Sequence, residues 1–276
     1  MNQPDYVLGH SDHELGRLRR QAALLESTTR EYLAAAGLAP GMRVLDVGSG
    51  AGDVAMLAAE LTTPGGRVIG TDTAAAAVSA ASAAASAAGL SDIVHFRNGD
   101  PAALTFDEPF DAIVGRYVLV FQADPAAMLR RVSRHLAPGG IVVFHEPDWC
   151  AVRSSPPAPT YDRCCRWIIE TVDRARTSWN MADRLHRTFT DAGLPAPTLS
   201  MRTFIGVGIA AEVWLRAVAD IVETLLPTME ALGSATAAEV GLETLAERLI
   251  DEIRETPTTL IGRSEVAAWC RGGESS

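Results

Sequence analysis

Residues 44–53 read Val44-Leu45-Asp46-Val47-Gly48-Ser49-Gly50-Ala51-Gly52-Asp53. A short apolar run passes directly into glycines at alternate positions, and a helical segment, Asp53 to Leu61, follows. Strand, glycine turn and helix in that order favour a ligand at the turn, because glycine accepts positive φ and carries no Cβ to block approach to the backbone. The glycines follow GxGxG, and the sixth place holds Asp53, where a dinucleotide fingerprint has Gly or Ala. A carboxylate there lies close to where a pyrophosphate would sit, which disfavours NAD and FAD. Asp46 adds a second carboxylate at the same mouth, so a cofactor carrying positive charge is expected.

Outward from this turn the pattern alternates. Upstream, Ser11 with Glu14 reads as a capping box, and Leu15, Leu18, Ala22, Leu25, Leu33 and Ala36 recur near helical spacing until Gly37 and Pro40, giving a helix over 11–37. Downstream, Arg67 to Thr71 reads as a strand. Ala74 to Ala88 is nearly all alanine and serine, and is read as a helix because alanine is the best helix former and Gly89 stands at its C-terminal stop. Ile93 to Phe96, Phe110 to Val114 and Ile141 to Phe144 are further strands, with a helix over Pro125 to Leu136 ended by Pro138-Gly139-Gly140. Together with the first strand, Met42 to Val47, these give five strands alternating with helices. The pattern predicts a doubly wound α/β fold, a mostly parallel Rossmann-like sheet covered on both faces.

Past residue 150 the composition changes. Pro156, Pro157 and Pro159 form a short rigid link; Tyr161 to Asp191 is largely helical, Thr198 to Ile205 strand-like, about 211–255 helical, and Glu265 to Cys270 a last strand. One domain spanning 1–276 is expected, with a core over 40–148 and helical additions at 157–191 and 211–255.

Composition excludes several chemistries. The chain has 276 residues and a formal charge of −10, and every one of its 24 basic residues is arginine. Without lysine there is no Schiff base, P-loop lysine or amine nucleophile. An acidic chain without a basic run is not expected to bind nucleic acid. No stretch approaches the roughly 20 apolar residues of a membrane span. The first residues are polar where a secretory signal is apolar, so a cytoplasmic location is expected. Cys150, Cys164, Cys165 and Cys270 show neither zinc-type spacing nor a disulfide framework, and are expected to be reduced and structural.

Asp72 ends the second strand twenty residues beyond Gly52, the distance at which an acidic side chain reaches ribose hydroxyls, and Asp100 ends the third strand in Arg97-Asn98-Gly99-Asp100. At this point the sequence resembles the class I S-adenosylmethionine-dependent methyltransferases, nearest to bacterial small-molecule and quinone-type members. VLDVGSGAGD is similar to their first motif, GTD to the ribose-binding acidic position and NGD to the adenine position. FDAIVGRYVL is similar to the strand ending beside the methyl group, and LRRVSRHLAPGGIVVFHEPD to the helix-turn-strand before the active site. The resemblance covers about 40–148 and implies a seven-stranded sheet with an antiparallel last strand.

It also implies roles. Gly48, Ser49, Gly50 and Gly52 would surround the methionine part of S-adenosyl-L-methionine, and Asp46 would meet its amino end. Asp72 would bind the ribose hydroxyls with Thr73 beside it, and Asp100 with Pro101 would border the adenine. Arg116 would offer its backbone carbonyl to the ammonium, and Gln21, on a covering N-terminal helix, would contact the carboxylate.

Methyl transfer requires the acceptor to be held in line, water excluded and, for a hydroxyl or acidic carbon, a proton removed. His145 and Glu146, following the fifth strand, are the candidate bases, and His10 and His13 possible substitutes. His145, Glu146 and Asp148 alone do not make a metal site, and none is expected. Gly115-Arg116-Tyr117-Val118 lacks the Asn/Asp-Pro-Pro-aromatic signature of enzymes methylating nucleic-acid bases or glutamine. The expected partner is a small organic acceptor, apolar and aromatic or polyketide-like, with oxygen favoured over carbon or nitrogen. An arginine- and alanine-rich composition resembles that of high-GC bacteria and points to secondary metabolism. Trp149, Tyr161, Trp167, Trp179 and Trp214 could line a pocket, and 211–255, with Leu225, Met229 and Leu232, would be a lid or a homodimer surface. The rival readings keep the cofactor but assign non-methyl, cyclase-like chemistry, or no catalysis.

Overall fold

A computed structural model describes residues 12–174 and 179–272, with side chains from residue 24 onward. Contacts group the chain into two compact units. Among the described residues, one takes 12–146, 181–201 and 266–272; the other takes 147–174, 179–180 and 202–265.

The first unit carries helix α1 (Asp12–Ala36) and then an alternating series. This is β1 (Arg43–Val47), α2 (Asp53–Thr62), β2 (Arg67–Asp72), α3 (Ala75–Ala87), β3 (Val94–Asn98), β4 (Phe110–Arg116) and α4 (Pro125–Val132). Strand β5 (Leu136–Asp148) follows. β1 pairs in parallel with β2 and β4, β2 with β3, and β4 with β5. The order β3-β2-β1-β4-β5 reverses direction between β1 and β4, and open α/β sheets bind ligands at the carboxyl ends on either side of such a switch. The central strands β1, β4 and β5 are buried over most of their length on both faces because helices cover them. Val44, Val68, Val94, Ala112, Val114, Ile141 and Val143 are all buried, packed with Val54, Ala55, Ala58 and Ala59 of α2.

The alanine-rich segment is the helix α3, which buries Ala77, Ala81 and Ala85 at i, i+4 spacing. The expected helix to Leu136 stops earlier. α4 gives way to a single 3-10 turn over Ser133–His135, and Pro138-Gly139-Gly140 lies inside β5, where the β4 register shifts between Phe110 and Ala112.

The last strand, β8 (Thr259–Arg271), starts earlier than Glu265. Its end meets the start of β5, with Gly272 N donating to Gly140 O at 2.7 Å, so it runs antiparallel to the others. The sheet has eight strands where seven were expected. The addition is β6 (Arg153–Ser155), a three-residue strand just before the proline link, paired antiparallel with Thr259–Ile261.

The second unit carries α5 (Pro159–Arg174), part of β7 (Thr198–Val207), α7 (Glu212–Leu232), α8 (Ala237–Val240) and α9 (Leu242–Glu255); α6 (Met181–Asp191) belongs to the first. α7 packs against both α5 and α9. The expected pocket aromatics Trp149, Tyr161, Trp179 and Trp214 are buried in this unit's core, and so are Leu225 and Met229. Trp214 Nε1 donates to Tyr161 Oη at 3.1 Å, and Tyr161 donates to Ile261 O at 3.0 Å. The Arg263 guanidinium lies 5.6 Å from the Trp149 ring centre and 5.7 Å from that of Trp214, while pairing with Glu265 at 2.7 Å. No helix among the described residues is long and apolar enough to cross a membrane.

Candidate functional site

The site forms where β1 ends. Gly48, Gly50 and Gly52 all have positive φ, at 65°, 51° and 91°. A Cβ at Gly48 would stand 2.9 Å from Val118 Cγ2, and one at Gly52 2.8 Å from Phe96 Cζ, so packing as well as φ demands glycine at these two. Two hydrogen bonds tie the turn to the end of β2: Ser49 N donates to Thr71 O at 2.9 Å and Gly50 N to Asp72 Oδ2 at 3.0 Å. The other Asp72 oxygen accepts from Ala74 N at 2.9 Å. The Asp72 carbonyl takes the Gly99 N–H and the Asn98 amide, which brings the end of β3 to the same place. Each Asp72 carboxylate oxygen keeps lone-pair capacity beyond its one backbone donor, enough to accept a pair of hydroxyls.

Asp46 is 1 % exposed, and neither of its carboxylate oxygens has a hydrogen-bond partner among the described residues. Burial pushes its pKa up to about 8. The Arg116 charge pulls it down, Asp53 and Asp72 push it up, and the nearby Ala55 N–H lowers it slightly without reaching hydrogen-bond geometry. The Ser49 hydroxyl is also buried and unpartnered. Buried polar groups without partners are costly. A ligand bringing an ammonium to the glycine turn would satisfy both, so the residues present fit the amino-acid end of S-adenosylmethionine.

Arg116 contributes more than its backbone. Its guanidinium lies 3.6 Å from Asp53, and Nη1 donates to Thr29 Oγ1 at 3.2 Å. Asp53 is therefore charge-balanced, which removes the basis for using it against a dinucleotide; the buried, unpaired Asp46 carries that distinction instead. Thr29 Oγ1 also meets His145 Nδ1 at 3.2 Å, and His145 is 2 % exposed with Tyr32 and Tyr117 edge-on to its ring. Tyr117 is the one non-glycine residue of positive φ (58°) among the described residues, and its N–H donates to His145 O at 2.9 Å. Backbone in this region persists only where its surroundings enforce it, and it gathers at functional sites.

Glu146 differs from the expected base. It is fully buried, and its carboxylate accepts from Val118 N at 3.0 Å, Leu119 N at 2.8 Å and Val120 N at 3.2 Å. These are donors at the start of the 3-10 turn Leu119–Phe121, so the carboxylate anchors the segment following β4.

The remaining expected residues divide. Asp100 Oδ1 accepts from Ala102 N at 2.9 Å, and the Pro101 carbonyl accepts from His135 Nε2 at 3.0 Å, which fixes the corner after β3. Thr73 is exposed beside Asp72. Gln21 and His13 lie on α1 with their side chains outside the described residues, as His10 does entirely. Asp148 Oδ1 accepts from Cys150 N at 3.0 Å. The four cysteines are unbridged, and burial pushes the Cys164 and Cys165 thiols up to about 12.

A doubly wound sheet with a glycine turn and a buried carboxyl at its switch point is the arrangement at which open α/β sheets bind ligands. The chain belongs to the methyltransferase-domain family, whose model matches residues 38–193. It is 37% identical over 112 residues to the 2-phytyl-1,4-naphtoquinone methyltransferase of Synechococcus elongatus, covering 39% of this chain and 48% of that one. It is 30% identical over 116 residues to the demethylmenaquinone methyltransferase of Symbiobacterium thermophilum, covering 42% and 46%. The chain thus spans about half the length of the curated relatives it matches. Its fold is similar to that of an S-adenosylmethionine-dependent methyltransferase from Geobacter sulfurreducens solved with S-adenosyl-L-homocysteine. The TM-score there is 0.53 and the identity 23%, over 88% of this chain and 90% of that one.

Proposed function

We propose that this chain transfers a methyl group from S-adenosylmethionine to a small, apolar organic acceptor, with oxygen favoured over carbon or nitrogen. The observation that carries the reading is the buried, unpartnered Asp46 carboxyl beside a glycine turn tethered to Asp72. The quinone substrates in the names of its relatives support an apolar aromatic acceptor.

Bound S-adenosylmethionine supplies an electrophilic methyl on a sulfonium. The chain's own task is to hold, orient and shield. Asp46 takes the ammonium end, Asp72 the ribose hydroxyls, and Asp100 with Pro101 the adenine edge. Glu146 holds Val118–Val120 in place, and so acts through position. His145 is the proposed proton acceptor. Thr29 Oγ1 accepts from Arg116, and in the tautomer in which it also accepts from Nδ1–H, Nε2 is the basic nitrogen.

Incubation with methyl-labelled cofactor and a panel of quinols, phenols and amines tests the reading. Label transfer to a hydroxylated aromatic, with turnover reduced on the order of a hundredfold by His145→Ala, supports it. Label transfer confined to protein or nucleic acid overturns the small-acceptor assignment.

A further inference from the structure

Six of the seven exposed large apolar side chains among the described residues fall between 199 and 213, with Leu232 apart from them. Ile205, Val207, Ile209 and Val213 are 64, 52, 83 and 60 % exposed, and β7 also exposes Leu199 and Met201. The alternation along β7 explains the arrangement. Phe204 stacks on Trp214 at 5.6 Å, and a Cβ at Gly206 would run into Phe204, so the even residues turn inward and Ile205 and Val207 outward. Thr203 Oγ1 bonds Ser264 Oγ at 2.7 Å, which holds β7 to β8. Among the described strands β7 pairs with β8 alone, so no strand lies along its other edge. Over ten residues it has no proline, and its one charged side chain is Arg202.

We propose that this edge is a homodimer interface, in which residues 205–207 at the end of β7 pair antiparallel with the same residues of a second copy about a two-fold axis near Gly206, and Ile205, Val207, Ile209 and Val213 are covered. The inference is independent of the acceptor. Charge selects the occupant. Residues 203–209, Thr-Phe-Ile-Gly-Val-Gly-Ile, contain no ionisable side chain, so two copies of a chain with a formal charge of −10 meet there without like-charge contact. A two-fold axis near Gly206 separates the two Arg202 positions by about eight residues of strand, roughly 25 Å. An anionic lipid surface requires clustered basic residues, and Arg202 is the only one between 199 and 215. The four outward side chains expose on the order of 400 Å² per copy, roughly 800 Å² in a dimer. Pairing the two backbones and their flanks brings the contact toward the ~1,200 Å² at which stable interfaces begin. This places self-association at the β7 edge and the first turn of α7, where Val213 lies, and not on Leu225 and Met229, which are buried.

Sedimentation velocity of the full chain between about 1 and 100 µM tests the proposal, in parallel with Ile205→Glu/Val207→Glu and with Ile209→Glu. All three positions are exposed, and unchanged circular dichroism verifies the fold. The expected result is a wild-type species of twice the 29.3 kDa chain mass, with a dissociation constant raised at least tenfold in both variants. A wild-type chain that stays monomeric throughout, or a dimer insensitive to both variants, overturns it. So does a monomer that floats with phosphatidylcholine vesicles through these residues, which would make the edge a lipid contact.

Discussion

Replacing Asp46 with Asn keeps the shape of the side chain and removes its ionisation. In the ligand-free protein burial holds the Asp46 pKa at about 8, against an ordinary 3.8. At about 1.4 kcal/mol per pH unit, the gap sets a ceiling on the order of 5 kcal/mol on the cost of charging this carboxyl in place. The sign follows from proton counting. Below about pH 4 the group is protonated in both folded and unfolded chains and contributes no difference. Between about pH 4 and 8 the unfolded chain releases the proton while the folded chain keeps it, so stability falls as pH rises, and above the folded value the loss is complete. Asp46→Asn carries a constant cost for a buried amide but no such slope. Urea unfolding of both proteins at about pH 5, 7 and 9 should therefore show the variant gaining on the wild type with pH, by at least tenfold in the unfolding equilibrium, about 1.4 kcal/mol. The same variant should bind S-adenosylmethionine more weakly, and wild-type affinity should rise as pH approaches 8. A stability difference that stays constant from pH 5 to 9 refutes the view of Asp46 as a buried carboxyl awaiting a cation.

Glu146→Ala leaves three buried N–H donors at Val118–Val120 without an acceptor and should cost about 3–5 kcal/mol in urea unfolding, with Glu146→Gln recovering part of it; a change below about 0.5 kcal/mol would contradict the anchoring role. Gly52→Ala forces a side chain onto a φ of 91° and to 2.8 Å from Phe96 Cζ, so about 1–3 kcal/mol should be lost, together with cofactor affinity. The smaller Phe96→Leu should relieve the packing part when combined with it, and calorimetry checks both.

Much of the first unit was legible because its signals are local. The glycine turn, the strand ends at Asp46, Asp72 and Asp100, and even the alanine-serine helix follow from propensity and spacing over a few residues. The short β6 was not legible, since Arg153–Ser155 becomes a strand only by pairing with Thr259–Ile261, more than a hundred residues away. The pairing of Arg116 with Asp53 and the capture of Glu146 by the turn after β4 were hidden for the same reason. A carboxylate at a strand end reads alike whether it faces substrate or three backbone donors. The tryptophans left both readings open because aromatic spacing does not distinguish a pocket wall from a core, and here Trp149 and Trp214 pack on each other and on Arg263.

Calorimetric titration of S-adenosylmethionine and S-adenosylhomocysteine into the full chain and into Asp72→Ala tests the central claim most directly. Asp72 joins the glycine turn to β2 and is assigned the ribose hydroxyls, so both ligands should bind the wild type. The variant should lose at least tenfold in affinity for each, with an unchanged circular dichroism spectrum. Equal affinity of variant and wild type, or binding of NAD without binding of S-adenosylmethionine, would contradict the account.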